Sequence, residues 1–544
     1  MSIPRKYHLP LLFLACFLLF FTHLDVLYEN IMEARNFNTA REMVDHNNWV
    51  LTTMNGEARY EKPPLPTWLA AISGAVFGLD NTWALRLPSA LVTTFMVFFF
   101  YRFVDYVGRN KELAFNAALI LASSFYILFA GRNGTWDIFA HAFMLAGIYY
   151  LFRFFTEPEK TYKNAIFAGI FIGFSFMSKG PVSHFALFLP FLIAYGTVFR
   201  FKAFRPKILP LILMMVIIAA LSSWWAITVY LLDPASAAAI ADKEATAWAN
   251  HNIRPFYYYW SFFTQSGIWT IPAFIALLYP YLKTRVENLK VYKFSLAWTL
   301  AAVILLSLIP EKKSRYLLPV LIPLAFNTAF YVQYLFRHFA TLKDKKEIFP
   351  VYFNFGLIAI IAVAAPITGY FLLRENLSGL WGWFVPFTLF SMFMGILIFR
   401  FLSQKNAPKI FYITVAFVCG VVALGFPLVK ATYTNTDYAQ LAPKVESLKE
   451  QGLPQYLFTN GSPELIWDLG QRIPLIQSAG KTYIPSERKF AVWMAADEEA
   501  DFKAVFSDYE LQFQTDIDGN ITSKKDRNYK GRRIAKLYFV SKKR

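Results

Sequence analysis

Four short polar segments of this chain carry the residues whose types and spacing could do chemistry. They are Glu61–Pro64, Arg132–Asp137, Lys179–Pro181 and Glu311–Arg315, and each adjoins an apolar run long enough to enter a bilayer. Ionised groups are costly in that environment and usually serve a function. Lysine and arginine side chains can bind an anionic group there, and a carboxylate can accept a proton. The sequence therefore predicts a charged site at a membrane surface.

The composition is that of a polytopic membrane protein. Hydrophobic residues make up 56% of the chain and aromatic residues 19%, and the mean hydropathy is +0.37, whereas soluble domains are roughly 45–50% apolar. The net charge of +18 indicates contact with anionic lipid headgroups and phosphate-bearing ligands, because the sequence has no recognisable nucleic-acid-binding module. Cys16 and Cys419 lie inside apolar segments, so neither a disulfide framework nor a cysteine zinc site is predicted.

About thirteen transmembrane helices are predicted, since a crossing needs about 20 apolar residues. The first apolar run is expected to be retained, because it lacks a small-residue cleavage site. Lysine and arginine residues occupy alternate connections, starting with Arg5 and Lys6, so the positive-inside rule places those connections and the N-terminus in the cytoplasm. The four polar segments then face outside. The predicted crossings are Leu9–Leu27, Trp83–Val107, Leu113–Ala130, Ile138–Phe155, Ala165–Met177, Ser183–Phe199, Ile208–Leu232, Phe262–Leu282, Phe294–Leu308, Leu317–Tyr334, Tyr352–Leu373, Trp381–Phe401 and Ile410–Val429.

The predicted fold is an α-helical polytopic membrane domain, residues 1–430, followed by a small soluble α/β domain, residues 431–544. The membrane domain includes a long first outer loop, residues 28–82, with helical pieces predicted at Ile31–Asp45 and Thr67–Phe77. The tail contains no nucleophile elbow, phosphate loop or metal cluster, so an accessory role outside the membrane is predicted for it. Its hydrophobic periodicity predicts a helix at Tyr438–Gln451 and strands at Tyr456–Thr459, Phe490–Met494, Tyr509–Ile517 and Ile534–Val540.

A series of short motifs runs through the first outer loop and the membrane region. It comprises Glu33-Ala34-Arg35, Ala40-Arg41-Glu42-Met43, Asn48-Trp49, Asn55-Gly56, Tyr60-Glu61-Lys62-Pro63-Pro64-Leu65, Trp68, Arg86-Leu87-Pro88, Arg132…Asp137, Lys179-Gly180-Pro181, Trp224-Trp225, Pro255-Phe256-Tyr257-Tyr258 and Lys313-Ser314-Arg315-Tyr316…Pro319. In this order the motifs resemble those of the aminoarabinose transferases and their protein O-mannosyltransferase relatives, which are membrane glycosyltransferases of the GT-C type. The most specific parts of this resemblance are the Glu-Lys-Pro-Pro-Leu string and the upstream Ala-Arg-Glu-Met motif. The resemblance fades in the tail.

This resemblance implies a glycosyltransferase that uses a sugar linked to polyprenyl phosphate, such as undecaprenyl phosphate, as donor on the outer face of the cytoplasmic membrane. A departing lipid phosphate needs fixed cations in a site of low dielectric. The candidates for binding the donor phosphate and sugar are Lys62, Arg132, Lys179, Lys312, Lys313, Arg315 and Tyr316. A hydroxyl acceptor also needs a general base, for which Glu33 is the first candidate and Asp137 the second.

Two departures from the family pattern concern the acidic residues. The relatives carry an Asp-Glu pair at the start of the loop, whereas here Met32 replaces the Asp and Glu33 remains. Aminoarabinose transferases also have a Glu-His element, and the counterpart of Glu61 in them shares a metal with it. This chain has Glu244 without an adjacent His, followed by His251. A divalent metal on Glu61 and His251 is predicted only weakly, because two ligands fall short of a four-coordinate site.

Simpler interpretations and other functions stay open from sequence alone. Arg132 could be an interfacial anchor, Asp137 a partner of the helix dipole, and Lys312 and Lys313 a solvated turn. A transporter or flippase of lipid-linked sugars is the alternative function, although it would favour ionisable residues in mid-helix and internal repeats. The acceptor is also open: lipid A, a Ser or Thr hydroxyl of an exported protein, or another envelope glycan.

Overall fold

A computed structural model describes residues 3–201, 205–250, 252–478 and 480–543 of this chain. The chain forms two compact units. One, the helical unit, comprises residues 1–24, 61–66 and 86–428, and the other, the α/β unit, comprises residues 25–60, 67–85 and 429–544. Most of the residues predicted to form a site therefore belong to the helical unit, whereas Glu33 belongs to the α/β unit.

The helical unit contains helices of very different lengths. Within the described ranges, eight helices are long and apolar enough to cross a membrane, or nine if one bent pair is a single span, so the chain is a multi-pass membrane protein. The α-helices are His8–Phe20, Thr82–Gly108, Lys111–Ser123, Phe125–Gly131, Asp137–Thr156, Thr161–Lys179, Leu189–Val198, Ile208–Leu232, Pro234–Asn250, Thr270–Ala276, Tyr279–Leu282, Leu289–Leu308, Leu321–His338, Lys345–Leu373, Trp381–Ser403 and Ala407–Gly420.

Each of the thirteen predicted crossings overlaps helical structure, but three of them are not continuous helices. The helix in the one predicted at Leu9–Leu27 ends at Phe20. The one predicted at Leu113–Ala130 bends by 67° between Ser123 and Phe125. The one predicted at Phe262–Leu282 consists of a 3₁₀ segment and two short helices, with Gly267 at φ +67° inside the 3₁₀ segment. That backbone conformation suits glycine and interrupts the helix. These crossings are therefore broken or short, and the number of thirteen stays a prediction.

The α/β unit is built around a four-stranded sheet. Its strand order is Gln455–Leu457, Lys489–Ala495, Ile534–Lys542 and Tyr509–Asp518, with the first pair parallel and the others antiparallel. Alternate residues of the second strand, such as Val492 and Trp493, pack into separate apolar clusters on the two faces. The predicted strands are confirmed to within a few residues, whereas the predicted Tyr438–Gln451 helix occupies only Ala442–Glu450. The division of the chain at residue 430 stays a prediction.

The remaining elements of the α/β unit are short hairpins and helices. The strands are Thr53–Met54, Glu57–Ala58, Gln477–Ser478 and Lys481–Thr482, and the helices are Ile31–Asp45, Leu65–Phe77, Ala442–Glu450, Pro463–Asp468 and Glu499–Val505. The helix predicted at Ile31–Asp45 has these same bounds, because Asn30 caps its first turn.

The Ala-Arg-Glu-Met motif lies on the Ile31–Asp45 helix and serves the fold of the α/β unit. All four of its side chains are buried. Arg41 donates to the backbone carbonyl of Ile466 at 3.1 Å. Glu42 accepts hydrogen bonds from the Thr53 hydroxyl at 2.6 Å and from the backbone N–H of Gly56 at 3.1 Å. The specificity of this motif therefore reflects hydrogen bonds that hold the unit together.

Asp468 makes the stability of the α/β unit depend on pH. Burial raises the pKa of its carboxyl from 3.8 to about 7, although Arg533 acts in the opposite direction. Since the folded state binds this proton more tightly than the unfolded state, the stabilisation is complete below about pH 4 and is lost as the pH rises through 7. We expect the free energy of unfolding to fall by at most about 4 kcal/mol over this interval. Amide hydrogen exchange of the sheet, corrected for intrinsic rates, measures this dependence. The free energy of unfolding should fall with rising pH in the wild type and not in Asp468→Asn.

Candidate functional site

The centre of the candidate site is an ion pair between Asp137 and Lys179 in the helical unit. Asp137 is the first residue of the Asp137–Thr156 helix, and Lys179 is the last residue of the Thr161–Lys179 helix. Their positions suit the helix dipoles, which favour an anion at the N-terminus and a cation at the C-terminus. The Lys179 ammonium donates to the Asp137 carboxylate. Both residues are less than 10% exposed, so the pair is shielded from water.

The turn after Lys179 brings its ammonium to this position. Gly180 has φ +71° and ψ −151°, a combination of backbone angles that essentially only glycine adopts. Its backbone N–H donates to the carbonyl of Phe176 at 2.6 Å. A Cβ at this glycine would meet no atom within 4 Å, so the backbone angle, and not the available space, accounts for glycine in the Lys-Gly-Pro motif.

Two more predicted cations act on this pair. Arg315 interacts electrostatically with both Asp137 and Lys179, and Lys62 interacts with Lys179. The Lys62 ammonium lies 2.8 Å from the carboxylate of Glu244, and both side chains are partly exposed. Three cations and two carboxylates thus share one region, and the excess positive charge favours an anionic ligand such as a phosphate.

Tyr316 lies among these cations. Its ring centroid is 5.8 Å from the Lys179 ammonium, and it is the same distance from the Lys313 ammonium and the Arg315 guanidinium. Lys313 also pairs with Glu311 at 2.5 Å. The structure therefore brings together Asp137, Lys179, Arg315, Lys62, Lys313 and Tyr316.

Arg132 and Lys312 were both predicted to bind the donor. Their charged groups donate hydrogen bonds to backbone carbonyls. The Arg132 guanidinium donates to the carbonyls of Leu19 and His23, at 2.8 and 2.9 Å, just where the first helix ends. The Lys312 ammonium donates to the carbonyls of Arg254 and Ile309, at 3.0 and 2.6 Å. These contacts hold connecting segments in place, and a role of either residue in donor binding stays a prediction.

Glu33, the first candidate for the general base, takes part in a helix cap of the α/β unit. Its carboxylate accepts a hydrogen bond from the side-chain amide of Asn30 at 2.7 Å, while the Asn30 carbonyl oxygen accepts from the backbone N–H of Glu33 at 3.2 Å. This is a capping box, which stabilises the first turn of a helix. The side chain is 1% exposed. Within the helical unit, Asp137 lies directly among the cations, and Glu33 stays a candidate for the base.

Of the two predicted metal ligands, the structure describes Glu61, whereas His251 lies outside the described residues. Glu61 has a buried Oε2 without a hydrogen-bond partner in the described ranges, which would suit a cation. However, no group of three His, Cys, Asp or Glu side chains converges to hold a metal ion among the residues that the structure describes. These residues do not form a metal site by themselves, and the metal stays a prediction.

Three polar residues near the site were not predicted to take part in it. His141 is one helical turn after Asp137 and, 1% exposed, forms a 2.6 Å hydrogen bond between its Nδ1 and the hydroxyl of Ser183. Glu244 is the partner of Lys62. The spacing of Asp137 and His141 was the available signal for His141. For Glu244 the signal was its position where the relatives carry a Glu-His element, but the sequence did not indicate that it would pair with Lys62.

Comparison with known proteins gives similarities in both sequence and fold. The family model described as dolichyl-phosphate-mannose-protein mannosyltransferase matches residues 61–225. The chain is 26% identical over 372 residues to an undecaprenyl phosphate-alpha-4-amino-4-deoxy-L-arabinose arabinosyl transferase of Proteus mirabilis, covering 66% of each chain. A transferase of the same description from Serratia proteamaculans is 25% identical over 405 residues, which cover 69% of this chain and 67% of the relative. The alignments thus span about two thirds of these relatives.

The fold is similar along almost the whole chain. The crystal structure of ArnT from Cupriavidus metallidurans bound to undecaprenyl phosphate superposes with a TM-score of 0.67 at 13% identity, covering 98% of this chain and 97% of that one. The apo structure of the same protein gives a TM-score of 0.65 at 15% identity. The predicted fold class, helical membrane spans with a C-terminal sheet region, is thereby confirmed.

Proposed function

We propose that this chain is a GT-C glycosyltransferase like the aminoarabinose transferases and the protein O-mannosyltransferases that it resembles, and that it moves a sugar from an undecaprenyl-phosphate carrier to an acceptor of the cell envelope. The observation that carries the proposal is the buried Asp137–Lys179 pair with Arg315 and Lys62 acting on it. Cations fixed in a site of low dielectric stabilise the charge that develops on a departing phosphate.

The proposed reaction takes place on the periplasmic face of the inner membrane. Lysine and arginine residues of the alternate connections, such as Arg5 and Lys6, favour a cytoplasmic N-terminus. Asp137 and Lys179 then lie at the outer ends of their helices. An undecaprenyl chain would stay in the bilayer while its phosphate and sugar reach these outer ends.

In the proposed step the acceptor oxygen attacks the anomeric carbon of the donor sugar. The bond from that carbon to the phosphate oxygen breaks, and the phosphate leaves with the electron pair, so the products are the glycosylated acceptor and undecaprenyl phosphate. Lys179, Arg315 and Lys62 bind the phosphate oxygens. When the acceptor is a hydroxyl, its proton passes to the Asp137 carboxylate. A phosphate acceptor is already a nucleophile and needs no base.

The two similar transferases named above suggest 4-amino-4-deoxy-L-arabinose as the first donor sugar to test. Lipid A is the first acceptor to test, followed by Ser and Thr hydroxyls of exported proteins. The alternative of a transporter or flippase is not favoured, because Asp137 and Lys179 are the terminal residues of their helices, whereas transporter sites lie near the middle of the membrane.

The decisive experiment offers the purified protein in nanodiscs an undecaprenyl-phosphate sugar labelled in the sugar, with lipid A or a Ser/Thr peptide. We expect the label to appear on one acceptor together with an equal amount of undecaprenyl phosphate. Sealed liposomes containing the protein and the same donor, but no acceptor, provide the second arm. Movement of intact donor between leaflets there, with no labelled acceptor in the first arm, would overturn the proposal in favour of a flippase.

The His141–Ser183 hydrogen bond gives a prediction about positioning. Ser183 follows the Lys179 turn, so this bond and the Asp137–Lys179 ion pair both tie that turn to the same helix. We expect Ser183→Ala to lower kcat roughly tenfold and to leave the KM for the donor unchanged, because a small displacement of a catalytic group has a large effect on the rate. Steady-state kinetics of both variants of the pair, Ser183→Ala and His141→Asn, measures this.

The control for this prediction is His184→Gln. His184 directly follows Ser183, and its buried Nδ1 has no hydrogen-bond partner in the described part of the chain. This variant should keep both kcat and KM. If Ser183→Ala lowers only the yield or melting temperature of the protein and keeps kcat per folded molecule, the bond is structural and does not position Lys179.

A further inference from the structure

The α/β unit contains a cavity that the proposed transfer reaction does not use. Its volume is about 560 Å³, and all of its lining residues belong to this unit. Cavities of about 300–1,000 Å³ are typical of small-molecule sites. The size therefore suits an organic ligand of up to a few tens of atoms.

The walls of the cavity carry an unusual amount of negative charge. Five carboxylates line it, and its described lining includes no Lys, Arg or His: Asp25, Glu29, Asp80, Glu446 and Asp468. Asp25, Asp80 and Glu446 are exposed, whereas Glu29 and Asp468 are partly buried. The negative charge thus extends from the solvent-accessible rim into the partly buried wall.

Two arginines behind the walls neutralise part of this charge. The Arg41 guanidinium lies 3.7 Å from the Asp80 carboxylate, and the Arg533 guanidinium lies over the Tyr28 ring at 4.2 Å from its centroid. Arg533 also donates to the backbone carbonyl of Glu29 at 2.5 Å. With five carboxylates and two guanidinium groups, the region has an excess of three negative charges once all the acids are ionised, and because the pKa of Asp468 is about 7, the excess at neutral pH lies between two and three.

Aromatic side chains form the other part of the lining: Tyr28, Tyr433, Tyr438 and Trp467. The Tyr28 and Tyr438 rings meet edge to face, with centroids 6.2 Å apart. The Tyr28 hydroxyl donates to the Gly519 carbonyl at 3.0 Å, which fixes this ring in the wall. Aromatic faces attract ammonium groups and also pack against methylene chains.

These features favour an organic cation over a metal ion. A metal site needs several oxygen ligands within about 2.0–2.6 Å of one point, and no three acidic, His or Cys side chains converge in that way in the described ranges of the chain. Carboxylates spread over the walls of a cavity of about 560 Å³ instead suit positive charges that are separated along a flexible molecule.

We propose that this cavity binds a linear polyamine, with protonated amines paired to Glu29, Asp468 and the acidic rim and with methylene segments lying against Tyr28, Tyr438 and Trp467. Several separated positive charges match several separated carboxylates better than a single ammonium group does. The proposal is independent of the transferase activity, because every residue it uses lies in the α/β unit.

The test is a binding titration of the full-length protein in nanodiscs of phosphatidylcholine at low salt, without donor or acceptor. Putrescine and spermidine are the probes, and 1,4-butanediol, which has the length of putrescine and no charge, is the matched neutral compound. Mg²⁺ controls for divalent charge. By calorimetry we expect one saturable site for spermidine, weaker binding of putrescine, no binding of butanediol and at least tenfold weaker binding of Mg²⁺.

Variants then connect the binding to the cavity. Glu446→Gln and Asp468→Asn should each weaken spermidine binding at least threefold, and Asp501→Asn, an exposed acid of the Glu499–Val505 helix, should not change it. Glu446 is exposed, so its replacement leaves the fold intact. Mg²⁺ binding as tight as that of putrescine would mean that the cavity attracts any divalent cation by its charge alone, and it would overturn the proposal. Undiminished spermidine binding in both cavity variants would do the same.

Discussion

Asp137→Asn is expected to lower sugar transfer to a hydroxyl acceptor by about 10²–10⁴-fold, the usual contribution of a general base. The Asp137 carboxylate is buried and contacts the Lys179 ammonium, so it is held where phosphate and acceptor would meet. Steady-state kinetics at saturating donor measures the effect. Asp105→Asn, which removes a carboxylate elsewhere in the helical unit, is the matched control and should keep full turnover.

The size of this effect also reports on the acceptor. If the acceptor is a phosphate, no proton has to be removed, and Asp137→Asn should lower the rate much less than with a hydroxyl. Comparing lipid A with a Ser/Thr peptide as acceptor for the same variant therefore separates the two classes. Full turnover of Asp137→Asn with a hydroxyl acceptor would show that Asp137 is not the base.

Glu33→Gln tests the other carboxylate that the sequence put forward. The side-chain amide and the backbone N–H of Asn30 both donate to the same Glu33 oxygen, Oε2, and the carbonyl oxygen of a glutamine can accept both hydrogen bonds in its place. We expect the substitution to destabilise the α/β unit by less than about 1 kcal/mol, because glutamine also completes a capping box, and to reduce kcat less than Asp137→Asn does. Thermal unfolding and kinetics on the same sample measure both. A loss of kcat as large as that of Asp137→Asn, without a loss of stability, would indicate that Glu33 is the general base.

Much of the fold was predictable because its signals are local. Asn30 and Glu33 form a capping box that marks the start of the Ile31–Asp45 helix, and alternating apolar residues mark the strands of the tail. The breaks near Ser124 and Gly267 were not predictable from hydropathy. The residues around both breaks are as apolar as those of a continuous span, and the bends depend on backbone angles that hydropathy does not report.

The site was predictable in part for a different reason. Asp137, Lys179 and Arg315 stand next to apolar runs, where a charge needs a partner, and the structure places them together. Arg132 has the same local setting, yet its guanidinium binds the carbonyls at the end of the first helix. A sequence does not distinguish an arginine that binds a ligand from one that binds backbone carbonyls. The difference depends on which distant segment of the folded chain lies next to the guanidinium group.

Lys179→Met is expected to produce the largest loss of stability among substitutions at the site. Removing one partner of a buried ion pair leaves the other charge buried and uncompensated, which costs about 3–5 kcal/mol. The side chains of Lys179 and Asp137 are 6% and 10% exposed, so water can compensate little. Denaturant or thermal unfolding of the helical unit measures this loss. Lys163→Met, on the exposed surface of the same helix, is the control and should change stability by less than about 0.5 kcal/mol.

The double variant Asp137→Asn, Lys179→Met separates the two contributions of this pair. With both charges removed, no buried charge remains unpaired, so most of the stability lost in Lys179→Met should return. Sugar transfer should not return, because the base and one phosphate-binding cation are both missing. A double variant that stays as unstable as Lys179→Met would mean that packing of the lysine stem, and not its charge, stabilises the helical unit. Recovery of stability with transfer still abolished would instead show that the reaction, and not the fold, requires this buried pair of charges.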